Sequence, residues 1–185
     1  MNNAENSVIY IITGGRNTGK TILCQKIIAS LKASRLKISG ILSPGVYQGQ
    51  NKIGIYAENI SSLERKLIAR YSPGWDHKCP QREWQFNLKE IEWGNRVIEA
   101  SIPTDILIID ELGYLEFEKN MGWTSAFSVI KTQNYHAAVV VIRPDLLVFA
   151  KNEWENAQIL NIESIGQIDE LEKYMLNQLL DTVKK

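Results

Sequence analysis

Apolar residues along the chain follow two rhythms. Short unbroken runs, Val8 to Ile12, Ile106 to Ile109 and Ala137 to Ile142, read as strands buried on both faces. Striped segments read as amphipathic helices. After Gly19, Leu23, Ile27 and Leu31 recur at i, i+4 and i+8, with Ile22 and Ile28 widening the stripe and Gln25, Lys26 and Lys32 between them. Leu88, Ile91, Asn95 and Ile98 share one side of a helix predicted over Leu88 to Ala100, where Glu92 stands four residues before Arg96 for an ion pair, and Pro103 ends the segment. Ile165, Ile168, Leu171, Met175, Leu176 and Leu179 stripe a C-terminal helix, and a further helix is predicted over Met121 to Thr132.

Between residues 37 and 71 the pattern turns to alternation. Lys37 to Leu42 predicts a strand interrupted by Ser43-Pro44-Gly45, and Lys52 to Asn59 alternates Ile53, Ile55 and Ala57 with polar or small neighbours. A hairpin closed by Gln48-Gly49-Gln50-Asn51 fits both, with Leu63 to Tyr71 pairing beside it. Ser72 to Arg82, with two Pro, one Gly and mostly polar residues, reads as a loop. Gln158 to Ile162 makes one more short strand. Buried strands alternating with amphipathic helices predict an α/β fold: a mostly parallel central sheet flanked by helices, with an antiparallel hairpin at its edge.

Composition narrows the class. At 185 residues, 44% hydrophobic and 23% charged, residues 1–185 are expected to form one domain with a sizeable core. The 21 Lys plus Arg balance 21 Asp plus Glu, so no global field draws the protein to nucleic acid or an anionic membrane. The apolar runs fall short of the roughly 20 residues a spanning helix needs. With no basic leader before an apolar stretch and only Cys24 and Cys79 available for disulfides, a cytoplasmic protein is expected.

Chemistry enters where the first buried strand ends. Gly14-Gly15-Arg16-Asn17-Thr18-Gly19-Lys20-Thr21 matches G-x-x-x-x-G-K-[ST], with a strand before it and a helix after it. Four matched positions arise by accident in on the order of one chain in a hundred or fewer, given Gly at about 7%. Gly14 and Gly19 permit a tight loop whose backbone N–H groups turn inward onto an anion at a helix N-terminus. Lys20 supplies a flexible positive charge for the β- and γ-phosphates, and the Thr21 hydroxyl can ligate Mg²⁺. The nucleotide-binding segment is taken to run from Gly14 to Ile22. The second run ends in Asp110-Glu111, and parallel strands present their carboxyl ends on one side, where ligands bind. Asp110 is therefore expected to face the loop and serve Mg²⁺, and Glu111 to orient and deprotonate the attacking water.

On these two motifs the chain resembles the small P-loop nucleoside-triphosphatases known as the cancer-related or thermostable nucleoside-triphosphatase family. Ser43-Pro44-Gly45-Val46, Gly49 and Lys52-Ile53-Gly54-Ile55 are similar to the family's Thr-Pro-Glu-Val segment, glycine turn and Ile-Gly-Phe strand. Asp110-Glu111-Leu112-Gly113-Tyr114-Leu115-Glu116-Phe117 resembles its Asp-Glu-Ile-Gly-x-Met-Glu-Leu signature. The likeness spans about residues 8 to 143 and implies a RecA-like domain, Mg²⁺-dependent hydrolysis of several nucleoside triphosphates, weak base discrimination and slow turnover without a partner. The chain departs at Arg16 and Ile22, where the family commonly has Pro and Thr, and at Gly45, where it has an acidic residue.

Other residues carry open alternatives. Arg143 ends the strand after the acidic one, either as an arginine in cis at the γ-phosphate or as a surface residue before Pro144. Arg16 faces the phosphates or water. Glu116 serves either as a hydrogen-bonding residue at a helix start or as a metal contact. His77, Cys79 and Asp76 supply too few ligands for a zinc site. Trp75, Trp84 and Trp93 suit core or cleft lining more than a nucleic-acid platform, given the zero net charge. The function predicted is a Mg²⁺-dependent nucleoside-triphosphatase acting on ATP, GTP and other triphosphates. Its rivals are a P-loop nucleoside or nucleotide kinase, whose Arg-rich lid has only Lys78 and Arg82 to represent it in loop 72–82, and a nucleotide-gated switch acting with a protein or RNA partner.

Overall fold

The computed structural model describes residues 7–71 and 84–184, so the expected loop over Ser72 to Arg82, with Trp75, His77 and Cys79, lies outside the described residues. Strand β1 (Val8–Thr13) feeds helix α1 (Lys20–Leu31), followed by β2 (Ile38–Leu42), β3 (Gly45–Gln48), β4 (Asn51–Asn59), β5 (Arg65–Tyr71) and β6 (Trp84–Phe86). Then come α2 (Leu88–Glu99), β7 (Ile106–Leu112), α3 (Tyr114–Lys119), α4 (Ser125–Lys131), β8 (Ala137–Ile142), α5 (Leu147–Glu153), β9 (Gln158–Asn161) and α6 (Ile168–Val183).

Among the described residues the strands form one sheet ordered β6-β5-β4-β2-β7-β8-β1-β9, with β3 pairing β4. The five strands from β2 to β9 pair in parallel, and β3 to β6 form an antiparallel extension. The expected mostly parallel sheet with antiparallel edge strands is therefore present, and the antiparallel part is wider than one hairpin. The central strands explain the unbroken apolar runs, because all six residues of β8 are buried and each face of the sheet has its own core. Leu23, Ile27 and Leu31 of α1 pack with Met175 and Leu179 of α6 on one face, while Ile91 and Ile98 of α2 pack with Val129 and Ile130 of α4 on the other. Polar contacts fasten α1 to α6: Lys26 pairs with Asp169 at 3.0 Å, and the Ser30 hydroxyl donates to Glu172 at 2.6 Å.

Helix boundaries shift where side chains compete with periodicity. The helix expected over Met121 to Thr132 begins only at Ser125, and the separate short α3 precedes it. Asn95 of α2 sets this break: its side-chain amide donates to the Gly122 carbonyl at 2.8 Å, and its carbonyl accepts from the Ser125 N–H at 2.9 Å. Trp123 then fills the space over Gly94, where a Cβ would meet its ring at 2.3 Å. The buried face of α2 consequently runs through Ile91, Gly94, Val97 and Ile98, and Leu88, expected on that face, is exposed. The expected Glu92–Arg96 pair forms at 3.4 Å. The C-terminal helix starts at Ile168, and Ile165 to Gln167 form a 3₁₀ turn.

Candidate functional site

Parallel pairing sets the site. Ile12 of β1 lies opposite Val141 of β8, and Ile109 of β7 lies opposite Val140, so the chain leaves β1, β7 and β8 at the same edge of the sheet. The loop of residues 14–21, the Asp110-Glu111 pair and Arg143 are brought to that one edge. The loop is specified by its backbone. Gly14 and Gly19 hold φ of +154° and +97°, conformations that L side chains rarely adopt. A Cβ at Gly14 would lie 2.3 Å from the Ile162 carbonyl oxygen, and one at Gly19 would lie 2.4 Å from the end of Ile168. The last strand and α6 therefore press the loop into place from behind.

Lys20 is buried and curls back, its ammonium donating to the carbonyls of Gly14 at 2.8 Å and Gly15 at 2.6 Å. Burial draws its pKa down, while the charges of Glu111 and Asp110 hold it up and that of Arg143 adds to the lowering. Arg16 and Asn17 are exposed, Thr18 and Thr21 are half-buried, and Ile22 is exposed on the first turn of α1.

Asp110 is 1% exposed. Its Oδ2 accepts the Ser43 N–H at 3.2 Å, whereas Oδ1 is buried without a partner. Burial first, and then the charge of Glu111, push its pKa up to about 6, against the Ser43 amide, the Thr21 hydroxyl and the charge of Lys52. Thr13 Oγ1 at the end of β1 and Ser43 Oγ just beyond β2 are also buried and unpartnered. Unsatisfied buried polar atoms are scarce in folded proteins, so three of them at one sheet edge call for a polar occupant. An unpartnered carboxylate oxygen with a threonine hydroxyl beside it, both hard oxygen donors, fits a small divalent cation that keeps most of its own waters. Among the described residues no group of three or more His, Cys, Asp and Glu converges, which is the donor set a closed zinc cage would require.

Glu111 and Arg143 find each other. The Arg143 Nε donates to Glu111 Oε1 at 2.5 Å, with both side chains about one-third exposed. Arg143 is thus a partly exposed member of an ion pair at the site's edge. Glu116 resolves to the structural alternative: its two carboxylate oxygens accept the N–H groups of Gly113 at 2.7 Å and Trp123 at 2.8 Å, fixing the start of α3 and the following turn. Trp84 and Trp93 are half-buried, with the ammonium groups of Lys52 and Lys66 each 5.9 Å from a ring centre. Thr13, Ser43 and Lys52 are the neighbours that sequence reasoning missed. In the sequence the Ser-Pro-Gly segment reads only as a break after a strand and a point of family likeness, and a backbone N–H leaves no trace in residue type. Among the described residues no helix is long and apolar enough to cross a membrane.

Comparison with known proteins agrees with this geometry. The chain is similar to nucleoside-triphosphatase THEP1 of Methanopyrus kandleri, 27% identical over 153 residues that cover 75% of this chain and 83% of that protein. It is also similar to nucleoside-triphosphatase THEP1 of Methanocaldococcus jannaschii, 29% identical over 122 residues that cover 65% of this chain and 71% of the relative. In fold it is similar to a human cancer-related nucleoside triphosphatase, with a TM-score of 0.72 at 20% identity over 94% of this chain and 97% of that one. The fold also matches THEP1 from the hyperthermophile Aquifex aeolicus, with a TM-score of 0.66 at 19% identity over 93% and 99% of the two chains. Residues 9–165 match the sequence model of the family described as NTPase, and the chain belongs to that family.

Proposed function

We propose that the protein binds nucleoside triphosphates, ATP and GTP among them, with Mg²⁺ and hydrolyses them to the diphosphate and phosphate in the cytoplasm, the whole chain acting as one P-loop nucleotide-binding domain. The observation that carries this reading is the meeting at one sheet edge of the Gly14–Thr21 loop with Asp110 and Glu111, Asp110 keeping one buried oxygen unpartnered. The names of the THEP1 relatives point the same way.

Thr21 and Asp110 would hold Mg²⁺, which supplies charge neutralisation on the phosphate oxygens when bound. The backbone N–H groups from Gly14 to Thr21 receive the phosphates, with Ile22 closing the segment on the first turn of α1. Lys20 exchanges the Gly14 and Gly15 carbonyls for β- and γ-phosphate oxygens. Arg143 turns from Glu111 toward the γ-phosphate, where its charge is best used as the transferring group separates. Glu111, released from that pair, accepts a proton from water as the water oxygen bonds to the γ-phosphorus. The bond from that phosphorus to the bridging oxygen breaks, its electron pair leaving with the diphosphate.

The test is to incubate the protein with ATP or GTP and Mg²⁺, with and without a panel of nucleosides and nucleoside monophosphates, following phosphate release against transfer. Release without an acceptor, lost in Lys20→Ala together with nucleotide affinity, is the expected outcome. Transfer to an acceptor would overturn hydrolysis in favour of a kinase. Unchanged nucleotide affinity in Lys20→Ala would overturn the phosphate-binding loop itself.

A further inference from the structure

At the sheet edge the charges of Lys20 and Arg143 cancel those of Asp110 and Glu111, these being the four less exposed charged groups there, while Arg16 of the loop is exposed. A triphosphate arriving with one divalent cation brings net negative charge, and nothing among those four offsets it. The hairpin of β3 and β4 supplies one more cation. Ser43, whose N–H donates to Asp110, stands two residues before Gly45, so Gly45 lies within about 7 Å of it along the chain. The pairing brings β4 across this corner: the Tyr56 N–H donates to the Pro44 carbonyl at 2.9 Å, and Lys52 stands opposite Tyr47. A Cβ at Gly45 would meet the Tyr47 ring at 2.7 Å and the Lys52 Cε at 2.9 Å, so the lysine stem and the tyrosine ring both lie close over this glycine. The charges that act on Lys52 are those of Glu111, Asp110, Arg143 and Lys20, with Glu111 the largest among them, and Lys52 in turn acts on Asp110. Among the described residues no carboxylate lies within ion-pair distance of Lys52.

We propose that Lys52, led across Gly45 from the antiparallel hairpin, is a second phosphate-binding lysine that contacts the γ-phosphate and makes the site select triphosphate over diphosphate. Its stem passes Gly45, two residues beyond the Ser43 whose N–H binds Asp110, and on the nucleotide reading the terminal phosphate is the group that meets this carboxylate corner, while Lys20 reaches the phosphates from the loop itself. The glycine at position 45 gives the lysine stem its track, and a carboxylate there would both obstruct the stem and capture the ammonium. The inference rests on the nucleotide-binding reading above and adds a specificity residue to it.

The experiment measures binding of a non-hydrolysable ATP analogue and of ADP, each with Mg²⁺, by calorimetry for the wild type, Lys52→Ala, Lys52→Arg and Gly45→Glu, alongside kcat and KM for ATP. A charge-assisted contact to phosphate corresponds to about tenfold or more in affinity. Lys52→Ala is expected to weaken the triphosphate analogue by about that factor while ADP affinity stays within about twofold, and Lys52→Arg to restore most of the difference. Gly45→Glu is expected to reproduce the selective loss without touching the lysine. Equal affinities in wild type and Lys52→Ala overturn the assignment, as does an equal loss of ATP analogue and ADP in all three variants, which is the signature of a merely structural lysine. Failure of the wild type to bind either nucleotide overturns instead the nucleotide reading on which the inference stands.

Discussion

Replacing Asp110 by Asn tests the electrostatics of the site in the absence of any nucleotide. The carboxyl is fully enclosed, and its pKa rises from the ordinary 3.8 to about 6 because burial and Glu111 both oppose its charge. Between about pH 4 and 6 the folded state thus keeps a proton that the unfolded chain has released. The stability this proton provides is complete below about pH 4 and lost as pH rises through 6. At pH 7.5 the nucleotide-free fold carries an uncompensated charge that corresponds to about 3 kcal/mol at about 1.4 kcal/mol per pH unit. Asn preserves the acceptor for the Ser43 N–H and removes the charge, but leaves its amide hydrogens unpaired at a cost of about 1–3 kcal/mol, so a net gain of up to about 2 kcal/mol is expected. For a chain of this size that is up to roughly 8 °C in Tm. The assay is thermal unfolding of both proteins in chelator at pH 7.5 and pH 4.5. Asp110→Asn should be the more stable at pH 7.5, and the two should converge at pH 4.5. A variant less stable at pH 7.5, or equally advantaged at both pH values, would refute the claim that a strained carboxylate is stored there. The same variant should lose the stabilisation that Mg²⁺ and nucleotide together confer on the wild type.

Three further substitutions separate the roles of the remaining groups. Glu111→Gln should bind the Mg²⁺–ATP analogue like the wild type and lose about 10²–10⁴-fold in kcat, as expected when a general base is removed; single-turnover phosphate release measures it. Arg143→Ala should keep ADP affinity and lose on the order of 10²-fold in kcat, the effect of deleting one donor to transition-state charge. An unchanged rate would reduce Arg143 to the partner of Glu111. Glu116→Ala leaves the buried N–H of Trp123 and the N–H of Gly113 without acceptors, at about 1–3 kcal/mol for each group that water cannot reach. Urea unfolding should move accordingly, while the Mg²⁺ requirement of the residual activity should not.

Periodicity made the parallel half of the fold legible because it reports burial, and burial is nearly complete there. Tyr10 to Ile12, Ile106 to Ile109 and all of β8 have no wet face, so nothing but a central strand suits them. The antiparallel half was harder. β6 is three residues long and follows a stretch of polar, Pro-containing chain; in the parallel half the exception is α5, between β8 and β9, which buries only Ala150 fully in seven residues, leaving no stripe to read. Asn95 illustrates the other kind of miss. Counted as a position on the apolar face of α2, it instead uses both ends of its amide to start α4, a decision made by a hydrogen bond between segments that are remote in sequence. At the site the motifs identified Lys20, Thr21, Asp110 and Glu111 because phosphate and metal chemistry demand those residue types. Ser43 contributes a backbone N–H that any residue but proline could offer, so its part emerges only from the pairing of β2 with β7.

The ion pair between Arg143 and Glu111 bears on the slow unassisted turnover that the family resemblance implies. With both groups parked on each other, the base is engaged before substrate arrives, and the pair invites the interpretation of a built-in brake. Its magnitude argues otherwise. The two side chains are 37% and 29% exposed, and ion pairs this open to solvent contribute at most about 1 kcal/mol. Opening such a pair slows a reaction by less than about tenfold. An arriving γ-phosphate offers Arg143 a stronger acceptor than a half-solvated carboxylate, so the cost shrinks further at the moment it would matter. Removing Arg143 should therefore lower the rate, because the transition-state charge it stabilises outweighs the brake it releases. If unassisted turnover is slow, the cause lies in the arrangement of phosphates and water, where a further cation from outside the chain would act, and raising the ionic strength to loosen the pair should not accelerate hydrolysis.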